Sequence, residues 1–288
     1  MSGLIDLHSH TNASDGTLTP NQLIGLAQHN GLTALAITDH DTFAGYEAAL
    51  PTARAAGLDL VCGIELNSRL VLDDAAHTRF AHMLVYFPNN KPSSEFNNWL
   101  LEERAERRLR NEKLVKALQE RDVDINLQEV EERGRSITGR PHFARILVEK
   151  GYVADFSDAF HKYLGEEAPS YVERVSKTTE EVIQLARAGG GIPVVAHPVR
   201  LGLPRAAEAA LLERLQKAGL AGLEVYHSEH SPALQAYYRD LAAKLKLLPT
   251  GGSDFHGTVK PDIDLGSGRA NNVHVPIDIL DGLRRFVQ

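Results

Sequence analysis

Leu4-Ile5-Asp6-Leu7-His8-Ser9-His10 is the stretch on which the reading of this chain turns. A short apolar run leads straight into two histidines separated by one residue. In an extended segment, residues two apart point to the same side, so both imidazoles face one spot at the strand's end. Two neutral nitrogen donors side by side on a rigid element are what a metal centre needs. Two solvated histidines at a strand tip would read the same way, so the remaining sequence has to decide.

Working outward, Thr11 to Thr17 is a run of polar turn formers punctuated by Gly16. It puts Asp15 on a loop that can swing back over the histidines. Thr19-Pro20 opens a helix, with Pro20 at its first position. Leu32 to Ile37 is apolar enough to be a strand buried on both faces, and it ends in Thr38-Asp39-His40-Asp41. After a helix from Phe43 to Ala56, a third strand ends in Gly63-Ile64-Glu65. The strand Phe80 to Tyr86 carries His82 near its beginning, a position that suits a core histidine as well as a ligand.

From about Asn97 to Leu164 the alternation of strands and helices stops. Trp99 to Glu120 predicts one long, heavily charged helix, and Gly139-Arg140-Pro141-His142 opens another. Most arginines here read as a solvated helix face. Arg135-Ser136 and Arg140 sit in Gly-flanked turns, where a guanidinium fork can grip a phosphate. Alternation resumes after Lys177, where Thr178 and Glu181 have capping-box spacing. Buried strands then end in His197-Pro198 and in Glu224, Tyr226, His227 and His230. The last ends in Ser253-Asp254-Phe255-His256, repeating the two-residue spacing of the opening motif.

With 288 residues, 43% of them hydrophobic and 24% charged, the chain can bury a real core, as one large α/β domain or one domain with an insertion. No stretch approaches the apolar length of a membrane span, and the N-terminus lacks the layout of a signal peptide. The single Cys62 lies in an apolar run, which predicts an inert buried thiol and a reducing, cytoplasmic setting. A net charge of −7 argues against gripping long duplex nucleic acid by its phosphates. Thirteen histidines, several beside carboxylates, point instead to metal chemistry on a small or short anionic substrate.

Seven strand-like segments, most followed by helices, carry metal-capable residues mainly at their C-terminal ends. That is the layout of an α/β barrel with its site at the top. His8, His10, Asp15, His40, Glu65, His82, His197, Asp254 and His256 are the candidate ligands. No thiolate is among them, which suits zinc, manganese or iron. They exceed one ion's needs, so two or three ions sharing Glu65, Asp15 or Asp254 are expected.

These motifs, in this order over nearly the whole chain, resemble the PHP (polymerase and histidinol phosphatase) family of metallo-phosphoesterases. The resemblance implies a distorted seven-stranded (β/α) TIM-like barrel, formed by 1–96 and 165–288. A helical insertion, 97–164, would cover the active site. It implies one ion on His8, His10, Glu65 and Asp254, a second on Glu65, His82 and His197, and a third on Asp15, His40 and His256. Mn²⁺ is the expected ion, with Zn²⁺ or Fe²⁺ as alternatives. The insertion, with Tyr163-Leu164-Gly165, is similar to that of the bacterial 3′,5′-nucleoside bisphosphatases and the 5′-to-3′ exoribonuclease called RNase AM.

The activity so implied is removal of the 3′-phosphate from nucleoside 3′,5′-bisphosphates, extending to 5′-phosphorylated short RNA. Arg104, Arg135, Ser136, Arg140 and Lys177 would hold the remote phosphate. His197, His227 or His230 would protonate the leaving oxygen, and the sequence does not choose among them. A phosphatase for histidinol phosphate or another small monoester is the alternative, although an aminated substrate would want a carboxylate more than arginines. A structural PHP module without chemistry is the non-enzymatic reading. No membrane and no obligate protein partner is expected.

Overall fold

The computed structural model describes residues 3–72, 78–89, 91–134, 138–173 and 176–286. In chain order the elements begin with β1 (Leu4–Asp6), α1 (Pro20–His29), β2 (Leu32–Ile37), α2 (Ala44–Ala56), β3 (Asp59–Val71) and β4 (Thr78–Phe87). Helices α3 (Ser94–Gln119), α4 (Leu127–Gly134), α5 (Arg140–Glu149) and α6 (Phe156–Ala159) follow. The chain continues through α7 (Thr179–Ala188), β5 (Ile192–Val195), α8 (Arg205–Lys217), β6 (Gly222–His227), α9 (Pro232–Lys244), β7 (Leu248–Gly252) and α10 (Asp278–Arg285). Two compact units result, Met1–Asn97 with Lys177–Gln288, and Asn98–Ser176.

In the first unit the seven strands lie in sequence order in one sheet. Leu7 N donates to Gly251 O (3.2 Å) and Asp254 N to His8 O (2.8 Å), which brings the last strand back to the first and nearly closes a barrel. The expected α/β barrel is therefore the fold. It departs from an all-parallel one at β4, which is antiparallel to both β3 and β5. The reason is local: residues 72–77 between β3 and β4 are too few for a parallel crossover, which needs about a dozen. This reversal has a consequence for His82. It lies in the first half of β4, opposite Asn67, and so belongs to the same end of the barrel as the C-termini of the strands that flank β4.

The two-residue period of the strands sorts the core into layers. Ala34 and Ala36 join Ile5, Leu7, Leu84, Tyr86 and Val194 in one buried cluster, to which Val273, Val275 and α10 residues Ile279, Leu280 and Leu283 also belong. Their neighbours Leu35 and Ile37 join Leu23, Ile24 and Ala27 of α1 and Ala49 and Ala53 of α2. Thr19 caps α1 with Pro20 at the first turn, and Thr178 with Glu181 forms the reciprocal cap of α7. Both caps are as the sequence predicts.

The second unit has its own core, in which Leu114, Leu118, Val130, Phe143, Ile146, Leu147 and Leu164 are buried. Leu164 is a core residue of this unit as expected, and Val172, beyond it, packs against the same cluster, so the unit runs to Ser176. No helix among the described residues is long and apolar enough to cross a membrane.

Candidate metal centre

Two buried carboxylates brace the loops that carry the candidate ligands. Asp6, at the end of β1, accepts from Ser253 N (2.9 Å), Ser253 Oγ, His8 N (3.1 Å) and Gly266 N (2.8 Å). This ties the loop bearing Asp254 to the segment bearing His8. The approach is so close that a Cβ at Gly252 would stand 2.2 Å from His8 N, which is why glycine is needed there. Asp39, after β2, accepts from Thr11 N and Oγ1 (2.7 Å each) and Ser14 Oγ (2.6 Å), pinning the turn that delivers Asp15. His197 and Asp254 adopt φ of 26° and 58°. Non-glycine residues pay on the order of 1 kcal/mol or more for such a backbone, and it persists where surrounding structure over-determines it, as at active sites.

Glu65 is the hub of the cluster. Its Oε2 lies 3.4 Å from His8 Nε2, 3.1 Å from His10 Nε2 and 3.4 Å from His40 Nε2. Its Oε1 lies 2.9 Å from both His82 Nδ1 and His197 Nε2. Asp254 Oδ1 stands 3.5 Å from His8 Nε2 and from His10 Nε2, and 3.4 Å from His256 Nδ1. Asp15 reaches His10 Nδ1 (3.5 Å), His40 Nε2 (3.6 Å) and His256 Nε2 (3.4 Å). All nine candidate ligands thus meet in one place. Their donor atoms converge in the groups His8–His10–Glu65–Asp254, His10–Asp15–His40–His256 and His40–Glu65–His82. A further group, His8–Glu224–His227, adjoins them.

The residues fit divalent ions on a direct observation. His8 Nε2 and both ring nitrogens of His10 are buried without a hydrogen-bond partner and face Glu65, Asp254 and Asp15. Buried polar nitrogens facing carboxylate oxygens without hydrogen bonds are costly unless a cation satisfies both. The set is nitrogen and oxygen only, which suits manganese, iron or zinc.

The charges are set by burial and by neighbours. Burial leads in pushing His10 and His40 down to about 4, His197 to about 3 and His230 to about 4. For His8 burial opposes charge, yet Glu224, Glu65 and Asp254 outweigh it and raise the ring well above its ordinary range. His256 is raised in the same way, against its burial, by Asp15 and Asp254. Burial likewise works against ionised Glu65, Asp15 and Asp254, but the facing histidines hold all three well below the usual carboxylate range.

This distribution sets how the metal-free protein responds to pH. His10, His40, His197 and His230 resist the protons that the unfolded chain binds near the ordinary 6.5, so stability is lost as pH falls from about 6.5 towards 4. His8 and His256 keep protons above 6.5, so the stability they add is lost as pH rises beyond that value. Chelator-treated protein is therefore expected to show a maximum in Tm near pH 6.5. Differential scanning calorimetry across pH 4.5 to 9 checks this, and a flat profile would contradict the charge assignment.

Several residues of the site were invisible as such in the sequence. Glu224, fully buried on β6, accepts from His8 Nδ1 (2.8 Å) and His197 N (2.6 Å), fixing the first ring's orientation. Arg200 and Lys260 both reach Asp254, and Glu229 holds Arg200. The only cue to Glu224 was its place near a strand end; nothing local marks the other three.

The candidates for proton transfer and substrate binding separate. His227 Nε2 lies 3.4 Å from Asp254 Oδ2, inside the cluster. His230 stands behind it, donating from Nδ1 to Val225 O (2.8 Å), and is not brought to the ligands. The Lys177 carbonyl accepts from Arg69 N (2.9 Å). Arg69 is four residues past Glu65 on β3, or about 13 Å along the strand. Arg104 lies on α3 and Arg140 opens α5, both in the second unit. The Arg140 guanidinium is 5.8 and 5.7 Å from the ring centroids of Phe160 and Tyr171 and donates to Leu164 O (3.2 Å). Arg135 and Ser136 lie outside the described residues.

A model of the PHP domain matches residues 6–122. The 5′-3′ exoribonuclease Rnm of Escherichia coli is 33% identical over 268 residues, which are 91% of this chain and 88% of that protein. The 3′,5′-nucleoside bisphosphate phosphatase of Chromobacterium violaceum is 30% identical over 273 residues, 91% of this chain and 90% of that one. A solved structure from Bifidobacterium adolescentis, assigned as a metal-dependent phosphoesterase, superposes with a TM-score of 0.80 at 33% identity, covering 100% of this chain and 98% of the other. Barrel, histidine–carboxylate cluster and likenesses together define a metal-dependent phosphoric ester hydrolase. The chain belongs to the PHP family.

Proposed function

We propose that this hydrolase removes the 3′-phosphate from nucleoside 3′,5′-bisphosphates and works 5′ to 3′ on short RNA bearing a 5′-phosphate. The observation that carries the chemistry is the cluster centred on Glu65. The nucleotide part is supported by the names of two relatives, each aligned over 91% of this chain.

In this reading His8, His10, Glu65 and Asp254 hold one ion. Glu65, His82 and His197 hold a second, and Asp15, His40 and His256 a third, with Mn²⁺ the proposed metal. Bound there, such ions lower the pKa of water from 15.7 towards roughly 7 and neutralise charge on phosphoryl oxygens. The protein's own groups do the rest. Glu224 accepts a hydrogen bond from His8 Nδ1 and leaves Nε2 turned to Glu65 and Asp254. Of the three histidines considered for protonating the leaving oxygen, His227 is supported best. Its Nδ1 accepts from Glu229 N (3.1 Å), so the ring's proton sits on Nε2, the nitrogen aimed at Asp254. His197 is held neutral with Nε2 on Glu65, and the one proton of neutral His230 is committed to Val225 O.

The remote phosphate falls to Arg104, Arg135, Ser136, Arg140 and Lys177. Arg140 is the best supported, since its fork lies near two aromatic rings and donates to the Leu164 carbonyl. Charge-assisted hydrogen bonds contribute roughly 1.5–3 kcal/mol each. Arg140→Ala is expected to cost about ten- to a hundredfold in kcat/KM on adenosine 3′,5′-bisphosphate and little on adenosine 3′-monophosphate. The test of the whole reading is phosphate release across these two compounds, histidinol phosphate and short 5′-phosphorylated RNA. A preference for histidinol phosphate, or no preference for the second phosphate, would overturn it.

A further inference from the structure

The two oxygens of Asp254 keep different company. Oδ1 faces His8, His10 and His256. Oδ2 collects Lys260 Nζ at 2.6 Å, Arg200 Nη2 at 2.9 Å and His227 Nε2 at 3.4 Å. Asp254 is 1% exposed, whereas Arg200 and Lys260 reach it from the open side, with side chains 34% and 25% exposed. Arg200 is held rigidly: Glu229 accepts from its Nε (2.9 Å) and from its Nη2 (2.6 Å). No hydrogen bond from Arg200 Nη1 is found among the described residues.

An ordinary structural ion pair would set one cation against one carboxylate. Here a single carboxylate charge is divided between two permanent cations on one oxygen and three imidazoles on the other. Whatever negative charge Asp254 spends on its Oδ1 side, in holding a metal, is no longer available to Arg200 and Lys260. Their N–H groups then need an anion, at the place where a reacting ester must lie to meet the His227 Nε2 proton. A splinted guanidinium next to an ammonium is complementary to a tetrahedral oxyanion.

We propose that Arg200, splinted by Glu229, and Lys260 form the seat for the phosphoryl group undergoing reaction. The seat rests on the phosphoester-hydrolase reading of the centre, and it is independent of which alcohol the phosphate is esterified to. It should therefore act alike on every substrate, unlike an anchor for a second phosphate.

The test uses manganese-loaded full-length protein with two probes, inorganic phosphate binding by titration calorimetry and steady-state hydrolysis of p-nitrophenyl phosphate. Arg200→Gln should weaken phosphate binding roughly 10- to 100-fold and raise KM by a similar factor. Arg200→Lys should recover part of this loss, and Glu229→Gln should show a smaller loss in the same direction. Manganese stoichiometry, measured by titrating stripped protein, and Tm should stay at wild-type values. Lys260→Met makes the same test should Arg200→Gln fail to fold. Unchanged phosphate binding in both variants overturns the proposal, as does wild-type protein that binds no phosphate. Loss of manganese in parallel with phosphate binding also overturns it, because the cations would then serve only to hold Asp254. None of these outcomes depends on the nucleotide preference, which can fail separately.

Discussion

Glu65→Gln is expected to lower kcat by about a thousandfold or more and to leave the protein with fewer bound ions. Glutamine keeps the shape of the side chain but removes its charge and replaces one acceptor oxygen with a donor. Five histidines, His8, His10, His40, His82 and His197, lose their shared counter-charge at once. Removing one partner from a buried charged set costs roughly 3–5 kcal/mol, equivalent to about 10²- to 10³·⁵-fold. The loss of a ligand shared between two proposed ions adds to that. Metal content by mass spectrometry and kcat on the preferred substrate read the two effects separately. A variant with full metal content and kcat within tenfold of wild type would show that Glu65 is not the hub its distances suggest.

Stripping the protein with a chelator is expected to abolish activity and to lower Tm, and added Mn²⁺ should restore both. Activity falls because the water and the phosphoryl group lose their activating charge. Stability falls because ions bind the folded centre and not the unfolded chain. At a hundred times the dissociation constant each ion contributes about 2.7 kcal/mol, or roughly 4–5 °C for a chain of 288 residues. The buried, unpartnered nitrogens of His8 and His10 are where that energy enters. Full activity in metal-free protein would sink the metal-dependent chemistry altogether.

The architecture and the ligand cluster were legible in the sequence because both follow from short-range periodicity. A strand buried on both faces reads as a continuous apolar run, and a two-residue spacing puts His8 and His10, or Asp254 and His256, on one side. Recurrence of such motifs at strand ends points to the top of a barrel. The reversal of β4 was not legible, because a third strand ending at Glu65 leaves 14 residues before Phe80, room enough for a parallel crossover. Only the extension of β3 to Val71 shortens the link to 72–77, and without it His82 looked misplaced at the beginning of a strand. The segment 165–176 was assigned to the barrel because nothing in its composition shows that Val172 packs against the second core.

What the sequence determined by itself was the set of residue types at each strand end, since backbone geometry alone turns that pattern into converging side chains. What only the tertiary structure decided was partnership. His8 meets Glu224 across 216 residues, Asp6 meets Ser253 across 247, and Arg200 meets Asp254 across 54. The proposal of His227 rather than His230 as the proton donor rests on a backbone N–H of Glu229 and a carbonyl of Val225. Such contacts have no local signature, because a carboxylate or guanidinium in a loop looks alike whether it faces solvent or a site. Closure of the sheet, with Asp6 fastening its first strand to its last, is what gives each of them its partner.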